Sequence, residues 1–200
     1  MEIPFGSLRI GLCKTVYEPS EDSFLLATYA SSLSGKILEV GAGTGIVALS
    51  AAAASKRNDV IGVDITPAAV ECAQANAQLN GITNAIFFQS DMFSKISGRF
   101  DFILFNPPYL PTAREEKLAL ESENAAYDGG ESGLESFYKF SHQAGDYLFL
   151  GGKIAVIATS LGDGIKKTVE ELESRIGPTQ ILAQEPFFFE KIALIEAVLK

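Results

Sequence analysis

The chain has 200 residues, 47% of them apolar, which is enough to bury a core and excludes a wholly disordered protein. Its longest apolar run, Ile46 to Ala54 interrupted by Ser50, is far short of a membrane span, and no basic start with an apolar stretch marks a secretory leader. Sixteen Lys and Arg against 25 Asp and Glu give −9, which disfavours nucleic acid as partner, and Cys13 and Cys72 are too few for a disulfide scaffold or a four-ligand zinc site. No metal is expected, and the predicted compartment is the reducing cytoplasm.

Short apolar runs alternate with helical patterns along the chain. Residues 36–40 read as a buried strand and 46–55 as the Ala-rich helix after it. A second strand is predicted over 59–63, followed by a helix over 67–79, with Thr66 at the N-cap, Pro67 at the first helical position and Asn80-Gly81 at the stop. Strands follow at 85–89 and 100–105, a helix at 133–148, a strand at 153–158 and a charged helix at 165–175. The last two strands, 180–184 and 191–199, have no helix between them and are predicted to pair as an antiparallel hairpin. Strict alternation implies an α/β fold, a doubly wound and mostly parallel sheet with helices on both faces. It forms a single domain over 1–200, with a short N-terminal extension of about 1–19.

Glu39-Val-Gly-Ala-Gly-Thr-Gly45 follows the first of these strands and opens a helix. Gly41 and Gly43 let backbone approach a ligand where a Cβ would collide. The spacing departs from the dinucleotide pattern, since position 46 is Ile, so NAD-dependent chemistry is disfavoured. Asp64 closes the second strand, where a carboxylate accepts both hydroxyls of a ribose. Asp91 follows the third, placed to accept from an adenine amine with the Met92 backbone alongside, and Glu39 is placed for the amino-acid end of a charged ligand. Three carboxylates and no Lys or Arg beside the glycines suit a cationic nucleoside, and S-adenosylmethionine carries such a charge on sulfur. An ordinary tight turn with solvated acids is the plainer reading.

Asn106-Pro-Pro-Tyr109 follows the fourth strand, beside the point where strand order reverses and ligands bind. The prolines fix the backbone and remove donors. The Asn106 side-chain oxygen and the Pro107 carbonyl are placed to accept both hydrogens of a planar –NH2, with Pro108 holding the turn and Tyr109 offering a ring face. An amide nitrogen is a poor nucleophile, so orientation is the main help a protein gives it, worth about 7–11 kcal/mol.

On these motifs the chain resembles the class I S-adenosylmethionine-dependent methyltransferases, with a Rossmann-like fold. More narrowly, it is similar to the HemK-type glutamine N5-methyltransferases that modify the Gly-Gly-Gln loop of peptide release factors. Val16-Tyr-Glu-Pro-Ser-Glu-Asp-Ser-Phe-Leu-Leu26 and Asp128-Gly-Gly-Glu-Ser-Gly-Leu-Glu135 match the short archaeal and eukaryotic branch. The resemblance implies seven strands in the order 3-2-1-4-5-7-6 with the last antiparallel. It also implies cofactor contacts from Ser23, Glu39, Gly41, Gly43, Asp64, Asp91, Met92 and Asn106, and S-adenosylhomocysteine as product. Asn106, Pro107, Pro108 and Tyr109 would hold the glutamine amide. It further implies a small zinc-binding activator of the Trm112 type, expected on the apolar edge strand at 85–89. The plainer reading of that strand is that its alternate residues face two helix layers.

The rivals are adenine-N6 methylation of DNA or RNA, which needs base flipping in a duplex, protein lysine methylation, and a non-enzymatic scaffold for which Asn106-Pro-Pro-Tyr109 would be superfluous. His142 is expected to serve a helix surface or the core rather than catalysis, and Cys72 to be a buried, inert thiol. Phe187-Phe-Phe189 reads as a plug or a contact patch, Glu115-Glu116-Lys117 and Glu170-Glu171 as solvated faces, and the polar stretch 111–131 as a substrate lid.

Overall fold

The computed structural model describes residues 1–109, 133–187 and 190–200; the expected lid, the Glu115-Glu116-Lys117 run, most of the Gly-Gly segment, Phe188, Phe189 and the Phe187 side chain lie outside the described residues. An N-terminal hairpin, β1 (Glu2–Phe5) and β2 (Leu8–Gly11), precedes helix α1 (Glu21–Ala30). The chain then alternates through β3 (Lys36–Val40), α2 (Ile46–Ala54), β4 (Asp59–Asp64), α3 (Pro67–Leu79), β5 (Ala85–Gln89) and β6 (Phe100–Phe105). After the undescribed stretch come α4 (Glu135–Ala144), β7 (Leu148–Thr159), α5 (Gly164–Arg175), β8 (Thr179–Phe187) and β9 (Glu190–Val198).

The seven-stranded sheet runs β5-β4-β3-β6-β7-β9-β8, the order the resemblance implied, with β9 antiparallel to both neighbours. Strand order reverses between β3 and β6, so the loops after those strands diverge and leave a crevice at the carboxyl edge. One core lies between the sheet and α1, α2 and α3, the other between the sheet and α4 and α5. Helix α2 is apolar all round and buried from Ile46 to Ala52, because it is sandwiched between α1 and the sheet.

Three features add to or depart from the predictions. First, the short N-terminal extension of about 1–19 carries a packed hairpin, with Leu8 and Ile10 buried and the strands stitched to α3. The Asn80 amide accepts from Arg9 N–H at 2.9 Å and donates to Arg9 C=O at 2.7 Å. One helical turn earlier, Asn76 does the same at Gly11, at 2.7 and 3.0 Å, and also donates to the Thr44 carbonyl at 2.9 Å. Side-chain amides at i and i+4 thus pair with the hairpin as a strand would. Secondly, Cys13 and Cys72 are joined in a disulfide, which continues this face of α3 by a further turn and replaces the inert thiol. Thirdly, Glu171 is not solvated, since Arg175, Ser141 and His142 surround its carboxylate and hold it below the usual carboxylate range against the cost of burial. His142 is half-exposed on α4, as expected. The Thr66 hydroxyl also leaves the N-cap bond unmade and donates to Asp64 instead.

Cross-linking residues 59 apart removes loop entropy from the unfolded chain worth about 4 kcal/mol. Chemical denaturation should show Cys13→Ser losing stability of that order, with reductant producing the same loss in the unaltered protein. Equal stability of the oxidised, reduced and substituted proteins would refute the cross-link.

Candidate active site

A cavity of about 560 Å³ opens at the reversal point, between the glycine turn, the 15–23 segment and the Asn106 loop. All the sequence-predicted site residues, Ser23, Glu39, Gly41, Gly43, Asp64, Asp91, Met92, Asn106, Pro107, Pro108 and Tyr109, line it.

On one side lies the glycine turn. Gly41 and Gly43 have φ of +71° and +53°, and a Cβ on Gly43 would project into open space. Gly43 N–H donates to Asp64 Oδ2 at 3.0 Å, while Thr66 N–H and its hydroxyl both reach Asp64 Oδ1 at 2.9 Å. The carboxylate at the tip of β4 is therefore fixed from below. Glu39 at the end of β3 is 2% exposed and accepts from Ala48 N–H at 2.8 Å. Burial raises its pKa well above the ordinary value, the charge on Asp64 adds to the rise, and the Ala48 bond opposes it. Asp91 after β5 is already engaged, because Lys139 of α4 reaches both of its carboxylate oxygens at 2.8 Å. The sequence reading had no sign of that partner, which α4 brings from 48 residues away. Met92, at φ +48°, is held where Ser90 Oγ donates to its carbonyl at 3.0 Å.

On the other side the organising group is Asp22, in the first turn of α1 and 1% exposed. Its carboxylate accepts from Asn106 Nδ2 at 3.0 Å, Tyr109 Oη at 2.9 Å, Tyr17 Oη at 3.1 and 3.2 Å, and Ser23 N–H at 2.6 Å. Ser23 Oγ also points at it, at 3.2 Å. Two ring hydroxyls and one amide converge there. The Tyr109 hydroxyl is pushed well above its ordinary pKa by burial, then by the Asp22 and Tyr17 groups beside it.

The amide orientation of Asn106 follows from this contact. Turned the other way, Asn106 would set its oxygen against a carboxylate, two acceptors with no proton between them. As placed, Asn106 Oδ1 is buried and has no hydrogen-bond partner among the described residues, a state that costs free energy until a donor arrives. Asp22 and Tyr17 are site residues the sequence reading missed. Both sit inside the quoted 16–26 motif, but nothing in the local sequence shows that they meet a loop 84 residues away.

Five acidic side chains, Asp22, Glu39, Asp64, Asp91 and Glu190, and one lysine, Lys139, are among the described residues lining the cavity, so that with Asp91 paired to Lys139 and Glu39 disposed to its neutral form by burial, acidic charge still prevails. Such a field favours a cationic ligand and disfavours a pyrophosphate. The groups present fit a nucleoside carrying an ammonium and a positive sulfur: a tethered carboxylate for a ribose, a buried one for an ammonium, and open glycine backbone between them.

Comparison with known proteins agrees with this geometry. A model of the methyltransferase small domain matches residues 20–189. A Methanocaldococcus jannaschii protein provisionally named a protein N5-glutamine methyltransferase is 39% identical over 198 residues, 98% of each chain. A Geobacter sulfurreducens release factor glutamine methyltransferase is 35% identical over 78% of this chain, which spans 56% of that protein's length. The E. cuniculi Mtq2–Trm112 complex, described as responsible for methylation of the eRF1 translation termination factor, superposes with a TM-score of 0.70 at 23% identity, over 93% of this chain and 99% of that one. The sheet, the cavity and these matches lead to one conclusion: the chain is a methyltransferase and belongs to the methyltransferase small domain family.

Proposed function

We propose that the protein transfers a methyl group from S-adenosylmethionine to the side-chain amide nitrogen of a glutamine, in the Gly-Gly-Gln loop of a class 1 peptide release factor. The observation that carries this reading is the Asn106 amide in the cavity wall, its nitrogen bonded to Asp22 and its buried oxygen without a partner among the described residues.

Bound in the cavity, S-adenosylmethionine supplies an electrophilic methyl on a positively charged sulfur. Asp64 would take the ribose hydroxyls and Glu39 the ammonium, with Gly41, Gly43 and Ser23 closing around them. The Asp91 carboxylate and the Met92 backbone would border the adenine, in place of or beside the Lys139 contact. Asn106 Oδ1 and the Pro107 carbonyl accept the two N–H bonds of the incoming amide, which sets the nitrogen's π lone pair perpendicular to the amide plane they define. Asp22 does not touch the substrate; it is a positioning residue that holds Asn106 and Tyr109. The amide nitrogen so held would take the methyl group, with the carbon–sulfur bonding pair left on sulfur as the neutral thioether S-adenosylhomocysteine, and would shed one proton to water. No base is needed before transfer, since the nitrogen attacks as a neutral amide.

The same residues would accept any flat –NH2, so adenine remains the chemical rival; the acidic cavity and the glutamine-methylating names of the relatives favour a protein amide. We also propose a small zinc-binding subunit of the Trm112 type on β5. It is an edge strand, and Ile86 on it and Ile65 beside it are 55% and 50% exposed, an unblunted apolar edge of the kind that recruits another chain. Phe87 packs in one core and Phe88 against the other, as the two-layer reading has it, whereas Ile86 is exposed. We propose the cytoplasm as its compartment, where its translation-factor substrate works. Among the described residues no helix is long and apolar enough to cross a membrane, and the Cys13–Cys72 disulfide is of a kind uncommon in a reducing compartment.

Incubation with labelled cofactor, a release factor and the small subunit, followed by mass spectrometry, should place one methyl on the glutamine of the Gly-Gly-Gln loop. Label on adenine or lysine would overturn the reading. Asn106→Ala should cut kcat by roughly 100-fold or more through lost alignment. Asp22→Asn should lose about 10- to 100-fold, the value of hydrogen bonds to a charged acceptor, with S-adenosylhomocysteine affinity changed far less than kcat.

Glu39 gives a proton-linked test. Its pKa is raised in the ligand-free protein, so binding an ammonium, which favours the ionised form, must release a proton where Glu39 is still protonated, and affinity must rise with pH through its titration. Calorimetry in buffers of differing ionisation enthalpy should show that release with S-adenosylhomocysteine and lose it in Glu39→Gln. Ile86→Glu should abolish co-purification with the small subunit while leaving the thermal midpoint of the free chain in place.

A further inference from the structure

Among the described residues, the buried side-chain nitrogen and oxygen atoms without a hydrogen-bond partner number two, Asn106 Oδ1 and Glu190 Oε2, and both residues line the same cavity. Buried polar atoms are paired in nearly all cases, and an unpaired one calls for an explanation. Asn106 has one in the amide it is placed to hold. Glu190 has none in the chemistry above.

Its place in the sheet says which part of a complex it would meet. Glu190 opens β9, which runs antiparallel to β7, so it emerges at the carboxyl edge where the cavity lies. Side chains alternate along a strand, which puts Glu190 on the face of Ile192, Leu194 and Glu196. Ile192 and Leu194 pack in the core under α1, and Glu196 accepts from Tyr29 of α1 at 2.6 Å. Glu190 is therefore on the side of α1, the helix that carries Asp22. The strand order separates it from the carboxylates proposed to hold the cofactor. Asp64 and Asp91 lie beyond β3, whereas Glu190 lies beyond β7. It stands two strands from β6, about 10 Å from the Asn106 backbone, a span of about three residues of extended chain.

We infer that Glu190 is a substrate-recognition residue whose free carboxylate oxygen accepts a main-chain N–H of the residues flanking the target glutamine. This rests on the proposed Gly-Gly-Gln substrate. Glycines on one side of the glutamine carry no side-chain donor, so within that segment the peptide N–H is the hydrogen available to an acceptor. A single enclosed oxygen also suits one N–H better than a guanidinium, which takes both carboxylate oxygens at once. The interaction adds specificity, because a bulky residue in place of a glycine would keep the main chain from approaching a desolvated acceptor.

The experiment is steady-state kinetics with a Gly-Gly-Gln peptide and with peptides carrying N-methylglycine at either glycine, using the full chain with its small subunit. Glu190→Ala should raise the peptide KM about tenfold and Glu190→Gln, which keeps an acceptor oxygen, about threefold or less. The affinity for S-adenosylhomocysteine and the thermal midpoint should match the unaltered protein in both. One N-methylated peptide should raise KM about tenfold with the unaltered enzyme and add nothing further in Glu190→Ala. An unchanged KM in Glu190→Ala overturns the inference while leaving the glutamine reading intact. Equal losses in Gln and Ala variants with no effect of N-methylation mean a cationic partner and also overturn it. If the unaltered enzyme methylates no glutamine, the function and this inference fall together.

Discussion

The active-site half of this molecule depends on one buried carboxylate. Asp22 is almost without exposure, and it remains tolerable there because two tyrosine hydroxyls, one asparagine amide and a backbone N–H all donate to it. In return it decides how those groups point. It ties the 15–23 segment to the loop after β6, and by accepting an N–H of the Asn106 amide it leaves the oxygen of that cavity-lining residue as the atom without a partner. An asparagine on a rigid proline turn becomes a directed acceptor rather than an amide free to flip.

The disulfide and the two α3 asparagines serve the same constraint from further back. They anchor β2 and Cys13 to α3, and the chain that leaves this anchor carries Tyr17 and Asp22. Asn76 also bonds the Thr44 carbonyl within the glycine turn, so the cofactor side and the substrate side of the cavity share one support. Gly45 belongs to that support, since a Cβ there would lie 2.9 Å from Ala73 Cβ and 3.3 Å from the Phe87 ring.

The alternating core was legible in the sequence because its signals are local. Strand and helix periods, the Asn80-Gly81 stop and the glycine turn all declare themselves within a few residues. Element ends shifted where tertiary contacts extend them, as in β7, which runs over 148–159 rather than 153–158 because Leu148 pairs with Phe100 of β6 and Thr159 with Ile192 of β9. The hairpin and α1 escaped notice for the opposite reason. α1 is short, with acidic residues confined to its first turn, and the hairpin strands are four residues each, held by asparagine side chains far off in sequence. In the cavity, residues with a motif of their own were legible, namely the glycines, Asp64 and Asn106-Pro-Pro-Tyr109. Asp22, Tyr17, Lys139 and Glu190 were not, since each acquires its meaning only from a partner or a cavity wall distant in the chain.

The central claim is geometric and is tested most directly by a crystal structure of the protein with S-adenosylhomocysteine and a Gly-Gly-Gln peptide. The account predicts the glutamine –NH2 donating to both Asn106 Oδ1 and the Pro107 carbonyl, with Asn106 Nδ2 still on Asp22. A complex in which the Asp22 contact is broken, or in which the glutamine amide binds away from Asn106, would contradict it.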